Sequence, residues 1–335
     1  MSSLREDQST VFGNDAAMAT TYSSSRLDPT RIAVLAGGTS AEREISLESG
    51  AQVASALIER GHAVTLIDPR DTDLSQVGWS AFDVAFLALH GTFGEDGGVQ
   101  ERLDAIGIPY PGSGVAASRL AFSKSAAKER FLQTSVPTPA YVLIHEADSA
   151  SRIEMQVRKL GYPVVVKPDA QGSSLGVTVV RSPEELPQAL SSCFHYDRFG
   201  LLERAIEGTE WTVSLLDRTV LPVMQIETGR AFFDYEAKYH DEQTVHRFDV
   251  DFPPYVVDDI ARVAARAAEV IGTSGMARVD IRLDKLCQPW VLEVNTIPGM
   301  TRHSVVPMAA ARVGIGFGEL CERTIQSCLV PAGSR

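Results

Sequence analysis

Residues 277–283, Ala-Arg-Val-Asp-Ile-Arg-Leu, alternate apolar and charged side chains without a break. A period of two fits a half-buried β-strand and no helix, so Arg278, Asp280 and Arg282 share one face while Val279, Ile281 and Leu283 turn toward a core. Shortly after, residues 291–295 (Val-Leu-Glu-Val-Asn) set Glu293 and Asn295 two apart. If the two strands pair, Asp280, Glu293 and Asn295 bring three oxygen donors to one face. Such a set suits Mg²⁺, which takes few protein oxygens and completes its octahedron with water and phosphate. For either strand alone, a surface salt bridge from Arg278 to Glu293 or Asp280 is the competing reading.

A second pattern lies upstream. Residues 162–167 and 175–181 read as short strands flanking Gly172-Ser173-Ser174, the first ending on Lys167. Small side chains let backbone amides approach phosphate oxygens, and a lysine beside them adds charge; an ordinary Gly/Ser turn is the alternative. No Walker loop of the form GxxxxGK[ST] occurs, so any nucleotide is held differently. Gly112-Ser113-Gly114-Val115-Ala116-Ala117 matches the loose dinucleotide pattern GxGxxA. It closes a unit instead of following its first strand, however, and reads as a loop or a helix N-terminus. His90, at the end of a strand over 84–89, is either a polar contact or general base, or a satisfied structural histidine. Glu42 and Glu44 are expected to cap the helix that follows them.

These motifs sit in a regular order. Residues 1–30 are rich in Ser, Thr, Ala and Asp without periodicity and are expected to form a disordered leader. Strands at 31–36, 63–68 and 84–89 alternate with helical patterns at 46–60 and after the 94–98 loop, which predicts a doubly wound α/β unit over 31–112. From 113 to 207 the alternation gives way to a small α+β lid, and 208–330 carries the paired strands with helices at 256–271 and 317–327. The net charge of −12 argues against a sequence-independent grip on nucleic acid or anionic membrane. The four cysteines are scattered, as for reduced thiols in a cytoplasm, and no stretch reaches the roughly 18 apolar residues of a membrane span.

From Arg31 to about Cys328, about nine tenths of the chain, there follow in order Gly37-Gly38-Thr39-Ser40-Ala41-Glu42-Arg43-Glu44-Ile45-Ser46, His90-Gly91, Gly94-Glu95-Asp96-Gly97, Gly112-Ser113-Gly114, Lys167-Pro168, Gly172-Ser173-Ser174, Tyr235-Glu236-Ala237-Lys238-Tyr239, Arg278-Val279-Asp280 and Glu293-Val294-Asn295-Thr296-Ile297-Pro298-Gly299-Met300-Thr301. The set resembles the D-alanine:D-alanine ligase family of the ATP-grasp fold. That resemblance implies three domains, ATP as co-substrate, two Mg²⁺ or Mn²⁺ ions, D-alanine as substrate and a cytoplasmic homodimer serving peptidoglycan precursor synthesis.

It also implies roles. Lys124, Lys167 and Lys238 would contact phosphates, Ser174 would lie in the loop over them, and Glu203, Glu210 and the backbone of Arg204, Ala205 and Ile206 would border adenine and ribose. Asp280, Glu293 and Asn295 would hold metal. Arg278 and the Gly299 amide would steady a tetrahedral oxyanion. Glu42 and His90 would face the first amino acid and Ser304 the carboxylate of the second, while Glu42, Ser173 and Tyr239 would form a hydrogen-bonded triad. Ser123 departs from the Asp that many relatives carry there. A ligase using D-serine or D-lactate as second substrate, or an inactive nucleotide-binding module, are the alternatives. Deleting residues 1–30 is expected to leave kcat intact; a large fall on truncation would contradict the leader reading.

Overall fold

The computed structural model describes residues 26–229 and 244–329. β1 (Arg31–Leu35) is apolar because both of its faces are covered: Ile32 and Val34 enter one cluster, Ala33 and Leu35 another. It is the central strand of a parallel sheet ordered β2-β1-β3, with β2 (Ala63–Ile67) and β3 (Val84–Leu87). Parallel neighbours need a crossover. Here α1 (Arg43–Glu59) supplies it and packs Val53, Ala54 and Leu57 on one face, while α2 (Gly98–Ile106) packs Val99 and Leu103 on the other. The sheet is therefore doubly wound, as the alternation predicted. The chain then returns along β3, where the Ala85 N–H donates to the Pro109 carbonyl at 2.8 Å.

After α3 (Val115–Phe122) and α4 (Lys124–Gln133) comes an antiparallel sheet ordered β4-β7-β5-β6. Its strands are β4 (Tyr141–His145), β5 (Val164–Pro168), β6 (Thr178–Val180) and β7 (Phe199–Arg204). β5 and β6 are the two strands expected around the Gly/Ser loop, paired with Val164 opposite Val180. Helices α5 (Ala150–Leu160) and α6 (Leu186–Tyr196) cover one face through Ile153, Val157 and Ala189 against Val164 and Val166. Strand periodicity sends Val165 and Lys167 to the opposite face.

The third sheet is antiparallel and runs β11-β10-β8-β12-β13, with β9 beside β8. It comprises β8 (Gly208–Leu216), β9 (Thr219–Val220), β10 (Met224–Glu227), β11 (Val245–Arg247), β12 (Met276–Asp284) and β13 (Pro289–Asn295). α7 (Pro254–Ile271) lays Val256, Ile260, Val263 and Ala267 on it. Ala117, Ala121, Ala127 and Phe131 join the same core, so α3 and α4 pack against this sheet although they precede the four-stranded one. The four-stranded sheet thus ends at Arg204 and the six-stranded one begins at Gly208, whereas the core of the latter takes in α3 and α4 from before the former.

α8 (Val305–Arg312) and α9 (Phe317–Leu329) carry the chain back onto the first sheet, where Leu320, Cys321 and Ile325 meet Ile32, Val34 and Leu57. A buried polar cluster locks this seam. Glu322 accepts from Arg60 at 2.5 Å and lies 3.0 Å from His62 Nε2. His62 Nδ1 accepts the Thr30 N–H at 3.2 Å, so the ring is the neutral tautomer donating from Nε2. Order begins before Arg31: Leu27 packs at the edge of this core and Thr30 is buried, so the leader reading fails for residues 26–30.

Burial would raise the Glu322 carboxyl, but Arg60 and His62 outweigh it and hold the group below its ordinary 4.5. A depressed folded-state pKa gives stability that is full above the unfolded value and lost as pH falls through the folded one. Glu322→Gln should cost about 2 kcal/mol near neutrality, given that Arg60 is partly exposed. In paired thermal melts from pH 7 downward, the wild-type advantage should shrink below pH 4.5; an unchanged gap at acid pH would contradict the assignment.

Candidate active site

β12 and β13 pair with Asp280 opposite Glu293 and Arg278 opposite Asn295, so the expected donor set shares one surface. A bulge after Asp280 places Ile281 opposite Val291, leaving Leu292 as the extra residue. Val291 and Val294 therefore both enter the core while Leu292 and Glu293 both line a cavity. Asp280 accepts from the Thr212 hydroxyl at 2.8 Å and from Arg278 in a two-pronged contact at 2.9 and 2.8 Å. The salt bridge and the donor set coexist, as a carboxylate with four lone-pair sites allows. One face further along, Arg282 donates to Glu210, to the Ile206 carbonyl and to the Gly208 carbonyl, which fixes the turn between β7 and β8.

Lys124 opens α4, and its position is set by the helix start. Ser123 caps the helix through Ala126 N–H, and Asp169 at the end of β5 accepts from the Ser123 hydroxyl at 2.8 Å and Ser125 N–H at 2.7 Å. Ser123 and Asp169 together thus supply the carboxylate and cap that a lone Asp would give. Lys124 Nζ then donates to the Gln171 carbonyl at 2.6 Å and lies 3.4 Å from Glu293. Across the cavity Lys167 Nζ donates to Glu203 Oε1 at 2.9 Å, and Lys128 Nζ lies 2.5 Å from Oε2. Burial pushes Glu203 upward, yet the two lysines prevail and keep it ionised. Burial also brings the Lys128 ammonium down to about 8, against the pull of Glu203.

These groups wall a cavity of about 160 Å³ that runs from an apolar face (Val165, Ala205, Ile206, Leu292) to Lys124, Lys167, Ser174, Asp280 and Glu293. A smaller cavity of about 40 Å³ continues from it, sharing Lys124, Gln171 and Glu293 and adding Glu42, His90, Glu95, Ser173, Arg278, Asn295 and Gly299. Glu42 occupies the N-cap position of α1 but makes no cap bond with its side chain. The capping expectation fails for Glu42 because the carboxylate turns inward: Oε1 accepts from the Ser173 hydroxyl, and buried Oε2 has no hydrogen-bond partner among the described residues. Glu44 alone remains in the first turn as an acidic residue. A Cβ at Gly172 would meet Glu42 Oε2 at 2.5 Å, and Gly91, at φ +70°, leaves room on the other side. Ser173 and Ser174 both sit at positive φ, 49° and 56°, a strained arrangement for two serines.

His90 Nδ1 donates to the Ile297 carbonyl at 3.2 Å and its Nε2 pairs with Ser49 Oγ at 3.2 Å, so both nitrogens brace the 297–300 loop. Of the two readings of His90, the satisfied structural one describes its bonds, although its ring borders the smaller cavity. Gly299 lies on that cavity, and Ser304 lies behind it, bonded to the Thr301 hydroxyl at 2.9 Å. Glu95, which the motif contained but no role was read for, is buried here; burial and the charge of Glu42 raise its pKa while His90 opposes them. Lys128 was also missed, and Arg282, read on the face of Asp280, was given no role. An ammonium four residues after Lys124 and the third charge in an alternating strand were the available signals. Lys238 and Tyr239 lie outside the described residues.

Among the described residues no group of three or more His, Cys, Asp and Glu side chains is gathered for a metal. Asp280 and Glu293 with the Asn295 carboxamide, whose Oδ1 accepts the Ile297 N–H at 3.0 Å, form a sparse all-oxygen set. That fits a hard cation completing its shell with phosphate and water.

Residues 131–326 match the D-ala D-ala ligase C-terminus family, and residues 69–113 the D-ala D-ala ligase N-terminus family. The D-alanine-D-alanine ligase of Halorhodospira halophila is 46% identical over 299 residues, 89% of this chain and 96% of that protein. D-alanine-D-alanine ligase B of Chromobacterium violaceum is 41% identical, covering 89% and 97% respectively. The crystal structure of a D-alanine-D-alanine ligase from Bacillus anthracis complexed with ATP superposes with a TM-score of 0.79 at 30% identity, over 90% of this chain and 97% of that one. Both halves of one family's sequence, in order and over nearly the whole length of its members, leave no other placement: the chain belongs to the D-alanine-D-alanine ligase family.

Proposed function

We propose that this protein joins two molecules of D-alanine into D-alanyl-D-alanine, using ATP to activate the first as an acyl phosphate. The observation that carries the reading is the buried Oε2 of Glu42, without a hydrogen-bond partner among the described residues, in the same small cavity as Arg278 and Gly299, next to a lysine-lined cavity of nucleotide character. An uncompensated carboxylate oxygen in a closed site calls for a cationic donor, and a zwitterionic amino acid brings an ammonium to Glu42 and a carboxylate toward Arg278.

A carboxylate is a poor electrophile, so it must first attack the γ-phosphorus. Lys124, Lys167 and Lys238 contact the phosphates, with Ser174 in the loop over them, while Glu203, Glu210 and the 204–206 backbone take the adenosine. Mg²⁺ or Mn²⁺ at Asp280, Glu293 and Asn295 supplies charge neutralisation to the triphosphate when bound. Arg278 and the Gly299 amide receive the oxyanion formed as the second amine attacks, and Ser304 meets the carboxylate of that substrate. The Glu42–Ser173 bond joins the first domain to the loop after β5, and Tyr239 completes the closure that keeps water from the acyl phosphate. Lys238-Tyr239 favours an amine over a hydroxyl nucleophile. We further propose a three-domain division at about 112 and 207 and a homodimer at work in the cytoplasm, both supported by family membership.

Phosphate release measured with ATP and Mg²⁺ across D-alanine, D-serine, D-lactate and L-alanine tests the whole reading. D-alanine alone should give dipeptide at full rate, with loss of turnover in EDTA. Equal turnover with D-lactate would overturn the specificity, and no turnover with any of them would favour an inactive module. Arg278→Ala should lower kcat by about 10²- to 10³-fold, the usual cost of one oxyanion donor. Glu42→Gln should raise KM for the first D-alanine at least about tenfold with KM for ATP unchanged, since a hydrogen bond to a charged group is lost. Near wild-type kinetics in either variant would remove that residue from its role.

A further inference from the structure

Lys128 lies outside both cavities, fully buried beneath the wall of the larger one. Its Nζ donates to the Thr138 hydroxyl at 2.7 Å, which donates in turn to the Val291 carbonyl of β13 at 2.8 Å. The ammonium also stands 5.8 Å from the centre of the Tyr141 ring and 2.5 Å from Glu203 Oε2. Glu203 is in consequence flanked by two ammonium groups, one on each oxygen. Only one of them, Lys167, lines the cavity.

The charges decide what this arrangement does. Glu203 carries one negative charge, and in a buried site a close opposite charge dominates its surroundings. With a single lysine present, carboxylate and ammonium would neutralise each other, and the cavity would offer an anion a pair of zero net charge. With Lys128 on the far oxygen the cluster retains one positive charge, and of its two ammonium groups the one on the cavity, beside Glu203, is Lys167. Lys128 is still protonated near neutrality, because its pKa falls only to about 8.

We propose that Lys128 is a positioning residue that balances Glu203 from behind the cavity wall, so that the charge of Lys167 is left for the phosphates of the nucleotide. The proposal rests on the nucleotide reading above, and predicts that Lys128 acts on the phosphate part of the ligand without touching it. Its anchor through Thr138 to β13 also ties the nucleotide wall of the four-stranded sheet to the strand that bears Glu293 and Asn295.

The test is isothermal titration of the full chain with ATP and with adenosine, in the wild type, Lys128→Met and Lys128→Met/Glu203→Gln. Lys128→Met should weaken ATP about tenfold, as expected for one lost charge-assisted contact, and leave adenosine within about twofold. Removing the Glu203 charge as well should free Lys167 again, so the ATP-to-adenosine affinity ratio should recover in the double variant. A purely structural lysine would lower the melting temperature and weaken both ligands together, with no recovery; that result, or an unchanged ratio in Lys128→Met, overturns the proposal. Should Lys128→Met fail to fold, Thr138→Val removes only the anchor, and about a threefold loss in the same ratio is expected, an unchanged ratio counting against it. A wild type that binds adenosine no worse than ATP would overturn the phosphate reading itself, and this proposal with it.

Discussion

The site depends on one pairing, the register of β12 against β13. A strand slip of one residue exchanges its two faces, which would bury Asp280 and Arg278 and turn Val279 and Ile281 into the cavity. The cost of burying those charges makes the observed register the only one compatible with a packed core. Within that register the bulge after Asp280 does further work on geometry, because it lets two consecutive residues, Leu292 and Glu293, reach the same cavity. An apolar surface and a carboxylate thus adjoin on one strand. Val291 and Val294, three apart, hold the strand down on either side.

A second constraint is the way α4 joins the two antiparallel sheets. Its apolar side, Ala127 and Phe131, belongs to the core of the six-stranded sheet, whereas its polar contacts, Ser123 to Asp169 and Lys128 to Glu203, reach the four-stranded one. Lys124 and Lys128 lie one turn apart on a single helix face. The first reaches into the cavity and the second passes behind its wall, so one rigid helix supplies both a ligand-facing charge and the charge that supports its neighbour.

Much of this was legible in the sequence, and the part that was not has a physical reason. Periodicity gave the strands around Val279, Val291 and Val164 and the crossover helix because each buries an apolar stripe whose spacing is set by its own backbone. Alternation put Asp280 on the polar face of its strand, but the pairing with Glu293 stood only as a condition, which the register of β12 and β13 meets. Glu42 was misjudged from local rules, since an acidic residue before a helix ordinarily caps it; the hydroxyl of Ser173, 131 positions away, draws its carboxylate inward. Lys128 and Glu95 escaped notice for the same reason. Each is a charged residue whose burial depends on partners distant in sequence, and local patterns report burial only for apolar side chains. Leu27 and Thr30 belong with the body because of His62 and the C-terminal helix, contacts that an aperiodic, polar segment does not advertise.

The net charge of −12 is at odds with a cavity for a polyphosphate only if charge is treated as a property of the whole molecule. At physiological ionic strength, interactions between exposed charges fade beyond about 8 Å, so most of the acidic surface is screened from a ligand in the cavity. What the ligand meets is local: Lys124, Lys167, Arg181 and Arg282 line the larger cavity, against Glu203, Glu207, Glu210, Asp280 and Glu293. Those acids are not equivalent. Glu203 is balanced by buried lysines, Glu210 by Arg282 and Glu207 by Lys285, whereas Asp280 and Glu293, opposite each other on β12 and β13, have as their bases Arg278 and Lys124, which line the cavities themselves. Every acid on the larger cavity has a base beside it. The balance at the site is thus set by individual ion pairs, and an acidic protein accommodates an anionic nucleotide without a basic surface.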